Sequence, residues 1–140
     1  SLFYSVHSST MDLINSKIRP KDFGTIDFDV HVYYNNEEVS RGQALQLRDL
    51  MKADFKPEDV FVGELIDFPI GPHPLPMWEA NLRKESLLEM ISWLMAHRGE
   101  LVVLVHALSG NHVWDHTAGA MFFGHVPPLN IEFLRGISKK

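Results

Sequence analysis

The sequence contains no cysteine, and that absence excludes a whole class of sites. Without thiols the chain can form no disulfide bond, no thiolate metal centre and no cysteine nucleophile. Histidine, aspartate and glutamate are the strong metal ligands that remain, and the chain holds 8 histidines. A metal site in this protein would therefore be built from imidazole nitrogens and carboxylate oxygens.

Long apolar runs and clusters of basic residues are also missing. No apolar run approaches the roughly 18 residues that a membrane-spanning helix needs, and the N-terminus shows no basic segment followed by an apolar one. The 13 Lys and Arg residues are scattered and are outnumbered by 18 Asp and Glu, which leaves a formal net charge of −5. This balance argues against nucleic acid or a membrane as a partner, and we expect a cytoplasmic protein.

The pattern of apolar residues predicts strands and helices in a definite order. Alternation with a period of two is typical of half-buried strands, and it is clearest in residues 26–34 and 77–82. The predicted strands cover residues 26–34, 60–66, 77–82, 101–106 and 118–123. Amphipathic helices are predicted over residues 37–53 and 84–98, and Ser86 with Glu89 could form a capping box that starts the second helix at Ser86.

This order of elements predicts the fold. Strand, helix, strand, strand, helix, strand is the split βαβ arrangement. We therefore expect an α+β, ferredoxin-like antiparallel sheet with both helices on one face, plus an extra C-terminal strand. A chain of 140 residues suits one domain, and we assign residues 26–140 to it and residues 1–25 to an irregular N-terminal arm.

The face of the sheet opposite the helices should be polar and open. If the helices cover the apolar residues of the first strand, then Asp29, His31 and Tyr33 point away from them. Glu79 and Asn81 share one side of the third strand. The third and fourth strands both flank the first strand in this topology, so these polar groups should converge.

Three further histidines can reach the same face. The Pro-rich stretch 72–76 excludes helix interior and central strand, so His73 lies in a stiff loop near the end of the first strand. His106 ends the fourth strand, which should place it beside Asp29. His116 lies in a turn that could fold over the sheet.

Two imidazoles and a carboxylate on one sheet face are the components of a facial triad, which binds non-haem iron and leaves positions open for substrate and O₂. The same set could hold zinc and a hydrolytic water. Simpler interpretations also exist for single residues. His31 could be a hydrogen-bonded sheet histidine, His97 could interact with the dipole at its helix end, and His112 and His116 could be exposed loop residues.

Four blocks of the sequence resemble the DOPA 4,5-dioxygenase family. They are Asp-Phe-Asp-Val-His-Val-Tyr-Tyr at 27–34, Ile-Gly-Pro-His-Pro-Leu-Pro-Met at 70–77, Arg-Gly-Glu-Leu-Val-Val-Leu-Val-His at 98–106, and the segment 115–124 with its Asp-His-Thr motif. The resemblance implies a ferredoxin-like domain, paired as a homodimer, that cleaves a catechol ring with O₂ by the extradiol route.

The resemblance also bears on particular residues. The histidines that match the family's motifs are His31, His73, His106 and His116. The positions that depart from the family pattern, which has or often has histidine there, are Asp29, Leu108 and Gly119. Asp29 lies on the same strand face as His31 and could supply the carboxylate ligand of a site with two histidines and one carboxylate.

The predicted function is a metal-dependent extradiol dioxygenase that uses Fe(II), with Zn or Mn as alternative metals. The predicted metal ligands are His31, His106 and Asp29. The predicted catalytic residues are His73 and His116, titrating near the ordinary imidazole pKa of about 6.5. The predicted substrate contacts are Glu79, Asn81 and Tyr33. The alternative is an altered family member that only binds a metal ion or a small molecule, and a zinc hydrolase is a weaker option.

Overall fold

The structure, a computed structural model, describes residues 26–138. The predicted arm at 1–25 and the last residues, 139–140, lie outside the described range. The strands are β1 (Phe28–Tyr33), β2 (Val60–Val62), β3 (Met77–Leu82), β4 (Val103–Ala107) and β5 (Met121–Phe123). The helices are α1 (Glu38–Asp54), α2 (Leu87–His97), α3 (His112–Asp115) and α4 (Ile131–Ser138), and a 3₁₀ turn (Lys84–Ser86) leads into α2.

The five strands form one antiparallel sheet in the order β2-β3-β1-β4-β5. β3 and β4 flank β1 and run antiparallel to it, and β5 is added beyond β4. This arrangement confirms the predicted α+β, ferredoxin-like fold with one added strand. Because β1 is paired on both sides, its side chains have neighbours from two strands on either face of the sheet.

One face of the sheet packs against α1 and α2. Val30 and Val32 point to the same side of β1 because residues two apart in a strand share a face. Both side chains are fully buried on that side. They belong to a core cluster that also includes Ala44, Leu47, Met51, Trp78, Ala80, Met90 and Leu94. Full burial of one such valine side chain stabilises the fold by about 2 kcal/mol. The predicted placement of both long helices on one face is confirmed.

β2 and β5 have at most half of their predicted lengths. β2 ends at Val62, and only an isolated bridge between Ile66 and Met77 continues its pairing with β3. The strand predicted at 118–123 begins only at Met121, because residues 116–119 form turns. The preceding link contains the short helix α3, which the apolar pattern did not reveal because four residues are too few to show a helical period.

The predicted capping box does not form, although the predicted helix start at Ser86 is confirmed because Ser86 directly precedes α2. Ser86 has φ −97° and ψ 0°, not the extended conformation of a capping residue, and its side chain makes no capping hydrogen bond. The 3₁₀ turn instead begins where the Lys84 N–H donates to Asp27 Oδ2 at 2.9 Å. The start of the second helical segment is thus tied to the residue that precedes β1.

The polar face of the sheet is covered, which corrects the expectation of an open face. The Pro-rich loop folds back as a turn in which the His73 N–H donates to Ile70 O at 3.0 Å. The Asn130 N–H, just before α4, donates to Pro72 O at 2.8 Å and holds this cover in place. The polar side chains beneath the cover are buried: Asp29, His31, Glu79 and Asn81.

No helix within residues 26–138 combines the length and the apolar composition needed to cross a membrane.

Candidate metal centre

The central strand β1 supplies the middle of the candidate centre. Asp29 and His31 point away from α1 and α2, and strand pairing decides what surrounds them. Asp29 lies opposite Asn81 of β3 and opposite His106 of β4. His31 lies opposite Glu79. Asp29, His31, Glu79 and Asn81 are each at most 2% exposed, so their polar atoms meet one another rather than solvent.

The Pro-rich loop places His73 over β1, near Tyr33. Gly71 adopts φ +58°, a left-handed conformation that glycine reaches without strain and that turns the loop back toward the sheet. The Tyr33 hydroxyl and His73 Nδ1 are 2.6 Å apart, which is a short hydrogen bond. His73 therefore has a defined ring orientation, with its second nitrogen left for the interior of the cluster.

Helix α3 places His116 over the same face. Its preceding loop is held by the carboxylate of Asp115, which accepts hydrogen bonds from Ser109 N–H at 3.0 Å and Ser109 Oγ at 2.6 Å. His116 Nδ1 lies 2.7 Å from His112 O. Because a carbonyl can only accept, this nitrogen carries the hydrogen and Nε2 of the neutral ring keeps its lone pair.

The four histidines form one buried cluster. Ring centroids are 4.2 Å apart for His31 and His73, 4.2 Å for His106 and His116, and 5.1 Å for His31 and His106. Two sets of side chains have ligand atoms that all lie within 4.8 Å of one another. These sets are His31, His73 and His116, and Asp29, His31 and His106. His31 is common to both.

The contact between His31 and His106 fits a shared metal ion. Their Nε2 atoms are 3.0 Å apart, close enough for one metal ion to bind both. His106 Nδ1 donates to Ala107 O at 2.8 Å, so Nε2 is the nitrogen of this ring that is available to a metal ion. His31 Nδ1 lies 3.4 Å from Glu79 Oε1, so a carboxylate stands beside the ring nitrogen that does not face His106. A hydrogen on one of the two Nε2 atoms accounts for the 3.0 Å contact when no metal is bound, and a metal ion that binds both nitrogens would replace that hydrogen.

A network of carboxylates supports the imidazoles. The Asn81 amide nitrogen donates to Asp29 Oδ1 at 2.6 Å and to Glu79 Oε2 at 3.0 Å. The other oxygen of Asp29, Oδ2, is 3.8 Å from His106 Nε2. Burying two carboxylates is costly unless positive charge lies close to them. A divalent cation held by the imidazoles would supply that charge.

Burial shifts the pKa values in this cluster. Burial lowers the pKa of His73 well below its ordinary value, with His116 and His106 adding to the effect. Burial and then His106 lower the pKa of His116 to about 4, although the hydrogen bond to His112 opposes the shift. The expectation of acid–base groups near 6.5 is therefore wrong for both. Burial and then Glu79 raise the pKa of Tyr33, so its phenol stays neutral.

These shifts predict that the metal-free protein loses stability in mild acid. The unfolded chain binds a proton at His116 near pH 6.5, whereas the folded chain binds it only near pH 4. Since the unfolded state holds more protons between these values, the free energy of unfolding falls as the pH drops from about 6.5 to about 4, by about 3 kcal/mol for this histidine. Above about pH 6.5 His116 is neutral in both the folded and the unfolded chain, so it no longer makes the free energy of unfolding depend on pH.

Denaturant unfolding in the presence of a chelator, between pH 7.5 and 4, measures this dependence. His116→Asn keeps an amide donor for His112 O but cannot titrate, so its free energy of unfolding should fall less steeply over the same range. Parallel curves for the variant and the parent would contradict the assignment.

The remaining histidines of the described range lie apart from the two sets. His97 is exposed at the end of α2, where its ring lies 4.9 Å from that of Trp93. His112 contributes its carbonyl, not its ring, to the cluster.

At Gly119, a Cβ atom would lie 2.5 Å from the Trp114 indole nitrogen, so the indole occupies the space that a histidine there would need.

Sequence comparison assigns the chain to a known family. A sequence model of the Dopa 4,5-dioxygenase family matches residues 28–133, which include every residue of both sets. The chain belongs to the Dopa 4,5-dioxygenase family. This membership confirms the resemblance that the four sequence blocks suggested.

Two curated relatives match most of the chain. The chain is 27% identical over 145 residues to a DOPA 4,5-dioxygenase from Amanita muscaria, covering 93% of this chain and 63% of the relative. It is 29% identical over 122 residues to an uncharacterised 21.2 kDa protein from Botryotinia fuckeliana, covering 81% and 66%. The chain thus spans slightly less than two thirds of either curated relative.

A solved structure shares the fold of the family member described here. It is the crystal structure of a candidate dioxygenase from Nostoc punctiforme, which superposes with a TM-score of 0.73 and 36% sequence identity. The similarity covers 80% of this chain and 93% of the other chain.

Proposed function

We propose that this protein is a metal-dependent extradiol dioxygenase that cleaves a catechol with O₂. The observation that carries the proposal is the pair of Nε2 atoms of His31 and His106, 3.0 Å apart inside a buried cluster with a carboxylate. Family membership supports dioxygenase chemistry, and the name of the Amanita muscaria relative suggests a substrate that resembles DOPA. Both oxygen atoms of O₂ enter the ring-opened product, so the reaction consumes no external reductant.

The proposed metal ligands are His31, His106 and Asp29. Two imidazoles and one carboxylate form the ligand set of non-haem Fe(II) oxygenases, so we propose Fe(II), with Zn or Mn as alternatives. When bound, such an ion supplies a Lewis-acidic centre for both catechol oxygens and for O₂. Asp29 reduces the net charge of the site and makes its ligand set harder than imidazoles alone.

His73 and His116 are the proposed proton-transfer groups. Their lowered pKa values keep both rings neutral at physiological pH but make each a weaker base than free imidazole, so a proton-transfer role requires that the negative charge of a bound catecholate raise these pKa values. Both rings lie beside the proposed ligands, with His73 against His31 and His116 against His106. His73 is also a member of the second metal-competent set, so its role needs an experiment.

Tyr33→Phe distinguishes the two roles of His73. Loss of the phenol removes the hydrogen bond to Nδ1 and loosens the ring, which should lower turnover about 10-fold. If His73 transfers protons, bound metal stays at the parent level; if His73 is a ligand, metal affinity falls as well. Metal analysis and steady-state turnover on the same preparations measure both.

Tyr34→Phe is the matched control for this variant. Tyr34 is the next residue along the chain, and its hydroxyl donates to Asp67 Oδ1 at 2.6 Å, away from the histidines. The control should leave turnover and metal content unchanged. Equal losses of turnover in both variants would show that the effect comes from the fold and not from His73.

Metal analysis followed by an anaerobic titration with Fe(II) and a catechol tests the proposed function itself. A catecholate charge-transfer band, followed by ring-opening absorbance when O₂ is admitted, is the expected result. Metal binding without ring opening would favour the altered family member that only binds a metal ion or a small molecule. Hydrolytic activity with Zn²⁺ and none with catechols would favour a zinc hydrolase.

Three other assignments stay predictions. Tyr33, Glu79 and Asn81 were predicted to contact the substrate, and their side chains are buried beneath the cover of the polar face. A homodimer and a cytoplasmic location are expectations that size-exclusion chromatography with light scattering and cell fractionation would test.

A further inference from the structure

We propose that Asn81 is a positioning residue whose side-chain amide bridges Asp29 and Glu79 and thereby fixes the orientation in which the Asp29 carboxylate presents one oxygen to a metal ion. The inference rests on the proposed function, because it assigns Asp29 as a ligand. It goes beyond that function by explaining how a carboxylate at position 29 is held in a ligand orientation.

The bridge depends on strand pairing. Asn81 lies directly opposite Asp29 across the β1–β3 pair, and Glu79 lies two residues earlier on the same face of β3. The Asn81 side chain is fully buried. A primary amide nitrogen carries two hydrogens, so it can donate to two carboxylates at once without adding charge. The distances of 2.6 Å to Asp29 Oδ1 and 3.0 Å to Glu79 Oε2 match that use.

As a result, the two oxygens of Asp29 make different contacts. Oδ1 accepts from Asn81, while Oδ2 lies 3.8 Å from His106 Nε2, among the proposed ligand atoms. Turning the carboxylate plane out of this position would break the hydrogen bond, and a half turn would only exchange the two equivalent oxygens. Asn81 therefore holds Oδ2 toward the imidazoles before a metal ion binds.

Asn81 also has a second polar atom inside the site. Among the described residues, no donor reaches the buried Oδ1 of its amide. An amide in a simple structural role would be expected to satisfy both ends within the protein. Here the amide nitrogen donates to both carboxylates, and in that orientation the amide oxygen accepts no hydrogen bond from the described residues.

A titration with Co(II) alone tests the proposal, since its d–d absorption reports binding and coordination without turnover. Asn81→Leu removes both donors at similar volume and should raise the Kd for Co(II) by about 10- to 100-fold, as for other residues that orient metal ligands. Unchanged or tighter binding would overturn the proposal. If Asn81→Leu does not fold, Asn81→Ser, which keeps one hydroxyl donor, is titrated and should also bind more weakly.

A double-mutant cycle separates positioning from a general loss of structure. If Asn81 acts through Asp29, then Asn81→Leu in the Asp29→Ala background should change the Kd by less than about 2-fold. The same 10- to 100-fold loss in both backgrounds would overturn the proposal.

Trp78→Phe is the matched structural control. Trp78 lies on the opposite face of β3 and donates a buried hydrogen bond to Ala44 O at 2.9 Å. The variant should lose stability and keep the parent Kd for Co(II). Failure of the parent itself to bind Co(II) would overturn both the proposed function and the role of Asn81, whereas parent-like binding by Asn81→Leu would overturn only the latter.

Discussion

His31→Ala is expected to lower bound iron and catechol-cleavage turnover by about 100-fold or more. His31 belongs to both sets of side chains that could hold a metal ion, so it would be a ligand whichever set binds the ion. Replacing a residue that merely orients a ligand typically costs 10- to 100-fold in metal affinity, and loss of a ligand should cost at least as much. Metal analysis and the rate of ring-opening absorbance measure the two effects.

The stability of the same variant should change far less. Removing a buried imidazole leaves a small cavity, and the expected loss is about 1–3 kcal/mol of unfolding free energy. His97→Ala is the matched control, because it removes an exposed histidine at the end of α2 and should preserve both readouts. Equal metal content and turnover in His31→Ala and the parent would place His31 outside the site.

Asp29→Ala is expected to weaken Fe(II) binding at neutral pH by about 100-fold. The side chain is 1% exposed, and its Oδ2 atom lies close to His106 within one of the two metal-competent sets. Alanine removes a ligand oxygen and a negative charge together, and both losses disfavour a divalent cation. An anaerobic Fe(II) titration measures the change in affinity.

Asp29→His tests the other explanation for this position. If Asp29 is a ligand, the histidine variant should still bind iron, since imidazole also ligates Fe(II). If Asp29 instead marks a lost histidine, Asp29→Ala should leave iron binding unchanged while Asp29→His raises catechol cleavage. An absence of effect in both variants would show that position 29 lies outside the site.

Part of the site could be predicted because local pattern and topology act together there. Alternation in β1 puts Asp29 and His31 on one face, and the ferredoxin-like order puts β4 beside β1, so His106 lies next to Asp29 as expected. The same order places His73 near Tyr33. The cover over this face was missed, because the contact between Asn130 and Pro72 joins segments that share no periodic pattern.

The sequence alone determined which chemistry was possible. The absence of cysteine restricted metal ligands to histidine and carboxylates, and the period of two along β1 and β3 assigned each polar side chain to a face. These properties are local, since composition and backbone geometry decide them without knowledge of distant contacts.

Only the tertiary structure decided the electrostatics of the site. Burial under the Pro-rich loop and α3 shifts the pKa values of His73 and His116 downward. The carbonyls of Ala107 and His112 fix which ring nitrogens carry hydrogen. Such effects depend on the removal of water and on atom positions to within a few tenths of an ångström. Both arise only when segments far apart in the chain pack against each other, so no pattern along the sequence could have revealed them.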